Sequence, residues 1–381
     1  MIARMTGVRT FMTLDDIVRE ALLSYDAGGE TRVSSDTSSA LISGSDMRVA
    51  GTGMLVIGIG TAGTKIVERL HQLSGPGLRI LTINSDRESL ENSSASSRFY
   101  LKPTYFSGGF GLCGGDPDLV DRYAQATRTA SHDIEPLLGY PEFCFIVAGM
   151  GGNLGTGAAP VIARMMRERG AVVAAIVTRP FAVERRRNVR AEPGIREIGK
   201  AAHTVLILEF EKLRSVLPGA MVLPQLFSVM NHIIALSIRN IWECTYSASF
   251  VNFECEDLHY MLEHGKTGTL LLGEFPLNEK QSCRTLSEIQ VSLMDFPLHE
   301  VKGYIIHITA GNDICLYETD QLAMMVSEPF DLSTEIISGA TIRNEMDGKV
   351  RLFSIITGMR ECGSEPEKPG TFPVGQEPKE E

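Results

Sequence analysis

Residues 148–160 read Ala-Gly-Met-Gly-Gly-Asn-Leu-Gly-Thr-Gly-Ala-Ala-Pro, and this glycine-rich run decides how the chain around it folds. The apolar stretch 143–147 before it is typical of a buried strand, and 161–166 after it is typical of a helix. Because glycines carry no Cβ, the backbone N–H groups of such a loop can converge on an anion at the start of the helix. Five glycines in nine residues exceed the needs of a tight turn, so the run predicts a phosphate-binding loop. It is not a Walker A loop, because no Gly-Lys-Ser/Thr sequence closes it.

Outward from this loop, short apolar runs alternate with amphipathic, helix-like segments. The predicted strands cover 54–59, 80–83, 143–147, 172–177 and 205–208. Near-continuous apolar runs of this length are expected in a parallel sheet that is covered on both faces. Ligands of such sheets bind at the carboxyl ends of the strands, which is where the glycine-rich segments fall. A long helix is predicted over 223–244, followed by strands at 268–272, 303–309, 334–340 and 350–357 and a helix at 316–327.

These patterns predict an α/β protein with a Rossmann-like nucleotide-binding domain, a long central helix and a smaller α+β C-terminal domain. The predicted regions are an N-terminal helix (13–25) and flexible linker within 1–49, the nucleotide-binding domain 50–222, the central helix 223–248, the C-terminal domain 249–361 and a disordered tail 362–381. The linker is rich in Gly, Ser and Thr, and the tail in Pro, Glu, Gly and Lys.

Composition and charge exclude several classes of protein. A net charge of -11 argues against nucleic acid as a partner, because phosphate backbones are bound by clustered Lys and Arg. The seven cysteines form no Cys-x-x-Cys pair, so we expect reduced thiols and no structural metal site. No apolar run approaches the roughly 18 residues of a membrane span, and Asp15 and Asp16 interrupt any signal-like N-terminus. We therefore expect a cytoplasmic protein that contacts a membrane only through an adaptor.

A second glycine loop follows the first predicted strand. Gly58, Gly60 and Gly63 form a literal Gly-x-Gly-x-x-Gly, and Asp86 lies some twenty residues further on. This pattern alone fits an NAD-linked Rossmann oxidoreductase equally well, with Asp86 on a ribose. Two observations argue against that alternative. It would leave the richer loop at 149–157 without a role, and the sequence contains no recognisable acid for hydride transfer.

Both loops together resemble a known family. The run 149–157 resembles the Gly-Gly-Gly-Thr-Gly-Thr-Gly loop of the tubulin superfamily, and its Ala-Gly-Met opening and Ala-Ala-Pro exit are similar to those of FtsZ, the prokaryotic cell-division GTPase. Asn153 and Leu154 depart from the family's Gly and Thr. Asn84-Ser85-Asp86 resembles the family's Asn-Thr-Asp, and 109–117 resembles the loop that would close over the terminal phosphate.

The resemblance continues toward the C-terminus and implies a site for GTP or GDP with Mg²⁺. Glu184 matches the family residue on the ribose, Arg187 matches an arginine near the nucleotide less closely, and Phe227 and Asn231 match the pair that holds guanine. The implied nucleotide contacts are Gly58, Gly60, Thr61, Ala62, Gly63, Asn84, Asp86, Gly115, Gly149, Gly151, Gly152, Asn153, Leu154, Gly155, Thr156, Gly157, Glu184, Arg187, Phe227 and Asn231.

The resemblance also implies that the active site is divided between subunits. In the family, an acidic Asn-x-Asp-Phe-x-Asp loop of the next subunit polarises the attacking water. This chain has Asn252, Glu254 and Asp257 at the matching positions, with Glu254 in place of the first Asp. A carboxylate is kept and can still orient a water. As a structural alternative, these carboxylates simply favour the start of a helix.

The implied function is a tubulin-like GTP-binding cytoskeletal protein that polymerises head to tail and hydrolyses GTP slowly at subunit contacts, in cell division or a related filament. Its partners would be copies of itself and, as a further hypothesis, a standard FtsZ paralogue. Lys65 and His232 are further departures, where the family has Asn and Asp, and the N-terminal extension suggests an archaeal member. A non-polymerising regulatory paralogue that binds GTP stays open as an alternative.

Overall fold

The computed structural model describes residues 14–27, 53–74, 77–106, 119–217, 221–246, 251–276, 290–331 and 333–359. The predicted linker, the loop that contains Gly115 and the predicted tail lie outside these ranges.

Among the described residues, most of the predicted strands are longer than predicted, by one to four residues at one or both ends. They are β1 (Met54–Ile59), β2 (Arg79–Asn84), β3 (Ser97–Tyr100), β4 (Phe143–Gly149), β5 (Val172–Arg179), β6 (Thr204–Glu209), β7 (Lys266–Pro276), β8 (Val291–Ser292), β9 (Gly303–Ala310), β10 (Glu335–Ile342) and β11 (Lys349–Met359).

The helices include both of those predicted in the C-terminal half. They are α1 (Asp15–Ala27), α2 (Gly60–Leu73), α3 (Arg87–Glu91), α4 (Leu119–Thr129), α5 (Ser131–Leu138), α6 (Asn153–Glu168), α7 (Arg185–Ala201), α8 (Phe210–Val216), α9 (Leu223–Tyr246), α10 (Cys255–Glu263) and α11 (Leu316–Ser327). Three short 3-10 turns lie at Pro103–Tyr105, Leu298–Glu300 and Asn344–Met346.

The strands form one sheet in the order β10-β9-β11-β7-β6-β5-β4-β1-β2-β3, with β8 paired to β7. From β3 to β7 every pairing is parallel, which confirms the predicted parallel sheet. Beyond β7 the sheet is mixed, because β11 runs antiparallel to both β7 and β9 whereas β10 is parallel to β9. The C-terminal strands therefore extend the nucleotide-domain sheet through the β6–β7 pairing.

The parallel half of the sheet is buried on both faces, which explains its continuous apolar strands. Met54 and Val56 of β1 pack in one core with α2 and α9, and Leu55 and Ile57 pack in the other with α6 and α7. Successive side chains of a strand point to opposite faces, so a strand between two helix layers needs apolar residues at every position. This arrangement aligns the carboxyl ends of β1, β2, β4 and β5 at one edge of the sheet.

Candidate functional site

A cavity of about 470 Å³ lies at the carboxyl ends of β1, β2, β4 and β5, between α2, α6 and the start of α9. It brings together fourteen of the residues that the sequence singled out. These are Gly60, Thr61, Ala62, Asn84, Asp86, Gly149, Gly152, Asn153, Leu154, Gly155, Glu184, Arg187, Phe227 and Asn231. The position agrees with the rule that open α/β sheets bind ligands beyond the carboxyl ends of their strands.

Two helices begin at the floor of the cavity. The residues that precede α2 and α6 are Ile59 and Gly152, and neither provides a side-chain cap for the first turn. The two starts adjoin, since a Cβ built on Gly60 would lie only 3.5 Å from the amide nitrogen of Gly155. The first N–H groups of a helix have no intrahelical acceptor and carry the positive end of its dipole. Two such starts side by side favour an anion of several charges.

The phosphate-type loop is held in shape by backbone geometry that requires glycine at two positions. Gly151 has a φ of +85°, which L side chains rarely adopt. A Cβ on Gly155 would lie 2.6 Å from the carbonyl oxygen of Gly149. The Thr156 hydroxyl accepts a hydrogen bond of 2.9 Å from the Gly151 N–H, so this threonine closes the loop rather than lining the cavity.

Five predicted contacts support the cavity from outside its lining. Gly58 and Gly63 lie where α2 crosses the strands, and Gly157 lies against α4. Gly151 and Thr156 shape the loop as described above. Gly115, the remaining predicted contact, lies outside the described residues.

The opposite end of the cavity is apolar and aromatic. Phe227 and Asn231, one turn apart on α9, both line it. Phe227 packs edge-on against Phe210, with ring centroids 5.0 Å apart, and Phe181 stacks on Phe210 at 5.1 Å. An aromatic face with one amide beside it is suited to a planar heterocycle that carries hydrogen-bonding edges.

Charged side chains in the cavity wall are partly paired with one another. Glu184 accepts a 2.7 Å hydrogen bond from Arg187, and its other carboxylate oxygen accepts from the Phe181 N–H at 3.3 Å. Asp86 accepts from the Glu88 N–H and so caps α3. Lys65 also lines the cavity. The rim of the cavity thus carries the carboxylates of Glu184 and Asp86, which can accept hydrogen bonds from hydroxyl groups of a ligand. Lys65 adds a positive charge nearby.

Asn153 is held by a neighbouring helix. Arg190 of α7 donates a 2.6 Å hydrogen bond to the Asn153 side-chain oxygen. Asn153 is the first residue of α6, so this contact places its amide group beside the uncapped helix start. Leu154, which follows it, is 7% exposed and packs in the core with Met150 and Ala158.

Sequence reasoning missed nine residues that line the cavity. They are Ile59, Lys65, Ile66, Ser85, Tyr123, Met150, Thr178, Pro180 and Phe210. Lys65 stood out only as a departure from the resemblance, although its position one turn after Thr61 and Ala62 on α2 could have placed it here. Tyr123 carried no usable signal, because it reaches the cavity only through the packing of α4 near Phe106 and Ser85.

The predicted catalytic residues lie at the far end of the sheet. Glu254 precedes α10, Asp257 lies in its first turn, and both side chains are exposed, as is Asn252. His259 of α10 packs against Phe143, the first residue of β4, with ring centroids 6.0 Å apart. Gly149, the last residue of β4, lines the cavity.

The acidic turn, which comprises Asn252, Glu254 and Asp257, is therefore separated from the cavity by the length of the molecule. Strand β4 of seven residues spans about 20 Å at roughly 3.3 Å per residue. Helix α9 of 24 residues spans about 36 Å from the cavity to the segment before α10. Glu254 and Asp257 cannot reach a ligand bound in the cavity of their own chain.

Among the described residues, His, Cys, Asp and Glu side chains form no cluster of three or more that could hold a metal ion. None of the helices in the described part of the chain combines the length and apolar character that a membrane span requires.

Two family models match the chain. The GTPase domain of the Tubulin/FtsZ family matches residues 53–218, and the C-terminal domain of the FtsZ family matches residues 267–360. Together they cover more than half of the chain, including the cavity residues up to Phe210 and most of the C-terminal strands.

Similar proteins and solved structures agree with these models. Cell division protein FtsZ 2 of Haloferax volcanii is 32% identical over 91% of this chain and 84% of its own length. Cell division protein FtsZ 2 of Methanocaldococcus jannaschii is 31% identical over 81% of this chain and 80% of its own. An empty FtsZ dimer from M. jannaschii superposes with a TM-score of 0.72 at 24% identity, covering 94% of this chain and 99% of that one. The GTPγS-bound protofilament of CetZ2 from H. volcanii gives a TM-score of 0.65 at 17% identity, covering 81% and 94%.

Proposed function

The chain belongs to the FtsZ family of tubulin-like GTPases, and from that membership we propose that it polymerises head to tail and hydrolyses GTP across the contact between successive subunits. Membership in a GTPase family removes the support for an NAD-linked oxidoreductase. The filament would act in cell division or a related cytoskeletal role, as the names of its relatives suggest.

One observation carries the proposal: the cavity and the acidic turn lie at opposite ends of the same sheet. A site whose two halves cannot meet within one chain is completed when the end of one subunit meets the opposite end of another. Such a contact is heterologous, and when its rotation does not close a ring it generates an open filament. The protofilament known for the CetZ2 relative is consistent with this arrangement.

Within the cavity, the geometry supports a distinct role for each end. The starts of α2 and α6 would bind the phosphates, because their N–H groups converge there. Glu184 at the rim would hold the ribose, and Phe227 with Asn231 would stack on guanine and hydrogen-bond its edge. Arg187, which pairs with Glu184, would hold that carboxylate in position.

Hydrolysis would use the acidic turn of the adjoining subunit. Glu254 and Asp257 would orient the water that attacks the terminal phosphorus, releasing GDP and phosphate. Asn252 would contribute a hydrogen bond beside them. Mg²⁺ would enter with the nucleotide, bound to its phosphates.

The proposed partners follow from the same geometry. Copies of this chain are the first partner, and a filament shared with a second FtsZ paralogue would use the same contact. A location at the cytoplasmic division site, with the membrane reached through an adaptor, completes the proposal.

A subunit-mixing experiment tests the divided site. Asp257→Ala should keep GTP affinity but lose turnover. Gly152→Glu should lose GTP affinity, because it puts a carboxylate into the anion site. It should also fold, since Gly152 has an ordinary φ of -80° and a Cβ there would make only an ordinary 3.7 Å contact with the Gly149 carbonyl oxygen. Mixed in equal amounts, the two variants should recover about a quarter of wild-type turnover, because a quarter of random contacts join an intact cavity to an intact acidic turn.

The outcomes separate the alternatives. No recovery on mixing, with both variants still able to copolymerise in a pelleting assay, would contradict a divided site. A wild-type protein that binds GTP but stays monomeric at every concentration would favour the regulatory, non-polymerising paralogue.

A further inference from the structure

Helix α1, the N-terminal helix, is seated on the outer side of the nucleotide cavity. Ile17 and Ala21 of this helix, and Leu14 just before it, are buried in the core that also contains much of α2 and α9. Nothing in the site described above uses this helix. Its polar contacts, however, go to residues next to those that line the cavity.

Three hydrogen bonds tie one turn of α1 to the helices of the cavity wall. Arg69 of α2 donates to the Glu20 backbone oxygen at 3.1 Å. His232 of α9 bonds to the Glu20 carboxylate at 3.2 Å. The Ser228 hydroxyl of α9 donates to the Ala21 backbone oxygen at 3.1 Å.

Arg69 and His232 also bond directly to each other, which fixes the protonation of the histidine. The Arg69 Nε–H donates to His232 Nδ1 at 2.8 Å, so Nδ1 is an acceptor and Nε2 carries the proton that is donated to Glu20. His232 is fully buried, and burial lowers its pKa. Burial alone would raise the pKa of Glu20, but hydrogen bonds from His232 and Arg351 outweigh burial and lower it to about 2.

The register on α9 links this cluster to the aromatic end of the cavity. Phe227 and Asn231 line the cavity, and the residues that follow each of them, Ser228 and His232, face α1. Adjacent helix residues are about 100° apart around the axis, so α1 packs on the face of α9 next to the one that lines the cavity. On α2, Arg69 lies one turn beyond the cavity residue Lys65.

We propose that α1 is a positioning element of the nucleotide site, in which Glu20 holds α2 and α9 in the spacing that fits the guanine base. The inference rests on the proposed binding of the base by Phe227 and Asn231. Glu20 does not contact the nucleotide. It acts through Arg69 and His232, which set how far apart the two helices lie at the base end, whereas the phosphate end is held by the β1–α2 and β4–α6 loops.

A matched pair of substitutions on α1 tests the proposal. Glu20→Ala removes the side-chain bonds to His232 and to Arg351. Asp16→Asn, one turn earlier, weakens the contacts of Asp16 with Lys349 of β11 and Glu274 of β7 and leaves the α2 and α9 contacts intact. GTP and ATP affinities are measured by calorimetry for both full-length variants and the wild type, and unfolding is monitored in parallel. The GTP-to-ATP affinity ratio is the readout, because general destabilisation would weaken both nucleotides alike.

We expect Glu20→Ala to lower GTP affinity about tenfold with little change for ATP, and so to lower the ratio by a similar factor. Asp16→Asn should keep the wild-type ratio. Glu20→Gln, which retains an acceptor for the His232 Nε2–H, should restore most of it. Ser228→Ala removes only one hydroxyl contact with α1, so it should fold even where Glu20→Ala does not, and it should lower the ratio about threefold.

An unchanged ratio in the folded Glu20 and Ser228 variants would overturn the proposal, and so would an equal loss in Asp16→Asn. A wild-type protein that does not prefer GTP over ATP would contradict the proposed nucleotide site itself, and this inference with it.

Discussion

At the residue scale, Leu154 is the departure with the clearest chemical consequence. It lines the cavity beside the uncapped start of α6, where the resemblance has threonine. A hydroxyl there could donate to a phosphate oxygen, and losing a donor to the transition state typically costs roughly 10²–10³ in rate. Leu154→Thr should therefore raise phosphate release per pelleted subunit by at least about tenfold. Leu154→Val is the matched control, because valine has the shape of threonine without the hydroxyl.

A gain in Leu154→Val equal to that in Leu154→Thr would show that side-chain size, and not hydrogen bonding, limits turnover. A loss in Leu154→Thr would show that leucine is adapted to this site. Asn153→Gly is a less informative test of the other departure in this loop. Besides changing the loop, it would remove the hydrogen bond that Asn153 accepts from Arg190.

At the element scale, the start of α6 leaves no room for a side chain at Gly155. A Cβ on Gly155 would lie 2.6 Å from a backbone carbonyl oxygen, which cannot move without reshaping the loop. Gly155→Ala should weaken GTP binding by about 10²-fold, measured by calorimetry, since misplacement near 1 Å can have effects of this size. Gly199→Ala in α7 is the control, because no atom lies within 4 Å of its Cβ position.

Gly199→Ala should bind GTP normally and should be neutral or more stable by about 0.5–1 kcal/mol, because alanine favours a helix more than glycine does. Equal GTP affinity in the Gly155 and Gly199 variants would contradict the view that the loop shape creates the anion site.

The elements themselves were largely predictable, and the reasons are local. Strands β1 and β9 and helix α11 were predictable because the period and length of their apolar runs distinguish a strand from a helix. Residues 54–59 and 316–327 are examples. The cavity was predictable where glycine loops follow strands. Phe210 and Tyr123 were not, because they reach the cavity through helix packing that no local pattern encodes. Likewise, no sequence spacing joins Glu20 to His232 and Arg351.

At the scale of the whole molecule, buried ionisable groups predict how stability depends on pH. Burial lowers the pKa of His232 and, more strongly, that of His307, to about 3. Below pH 6.5 these histidines take up protons in the unfolded chain, whereas in the folded chain His307 does so only near pH 3 and His232 only below its ordinary pKa. Burial also raises the pKa of Glu274 to about 7, so between pH 4.5 and 7 the folded chain holds one proton that the unfolded chain lacks. Burial also lowers the pKa of the partly exposed His203 and raises that of Glu68, so these two groups change proton uptake on unfolding in opposite directions.

Near pH 5.5 the proton that the unfolded chain gains at His307 is offset by the one that the folded chain holds at Glu274, and His232 adds to the effect of His307, so the free energy of unfolding should fall on acidification. Urea unfolding at pH 6.5 and 5.0 measures this slope. Glu274→Gln mimics the protonated carboxyl at every pH, so it should make the fall steeper by about 1.4 kcal/mol per pH unit. Stability that rises toward pH 5, or a slope that Glu274→Gln leaves unchanged, would contradict this account.

The ion pair between Glu20 and Arg351 joins residues 331 positions apart, and this has a consequence for synthesis. At about 5–20 residues per second, a ribosome makes the strand that contains Arg351 roughly 15 to 65 s after it makes the helix that contains Glu20. Until α9 has been made the Glu20 carboxylate lacks His232, and until β11 has been made it lacks Arg351, so β11 completes the contacts of α1. Nascent chains stalled before β11 should therefore leave α1 more open to proteolysis than released chains do.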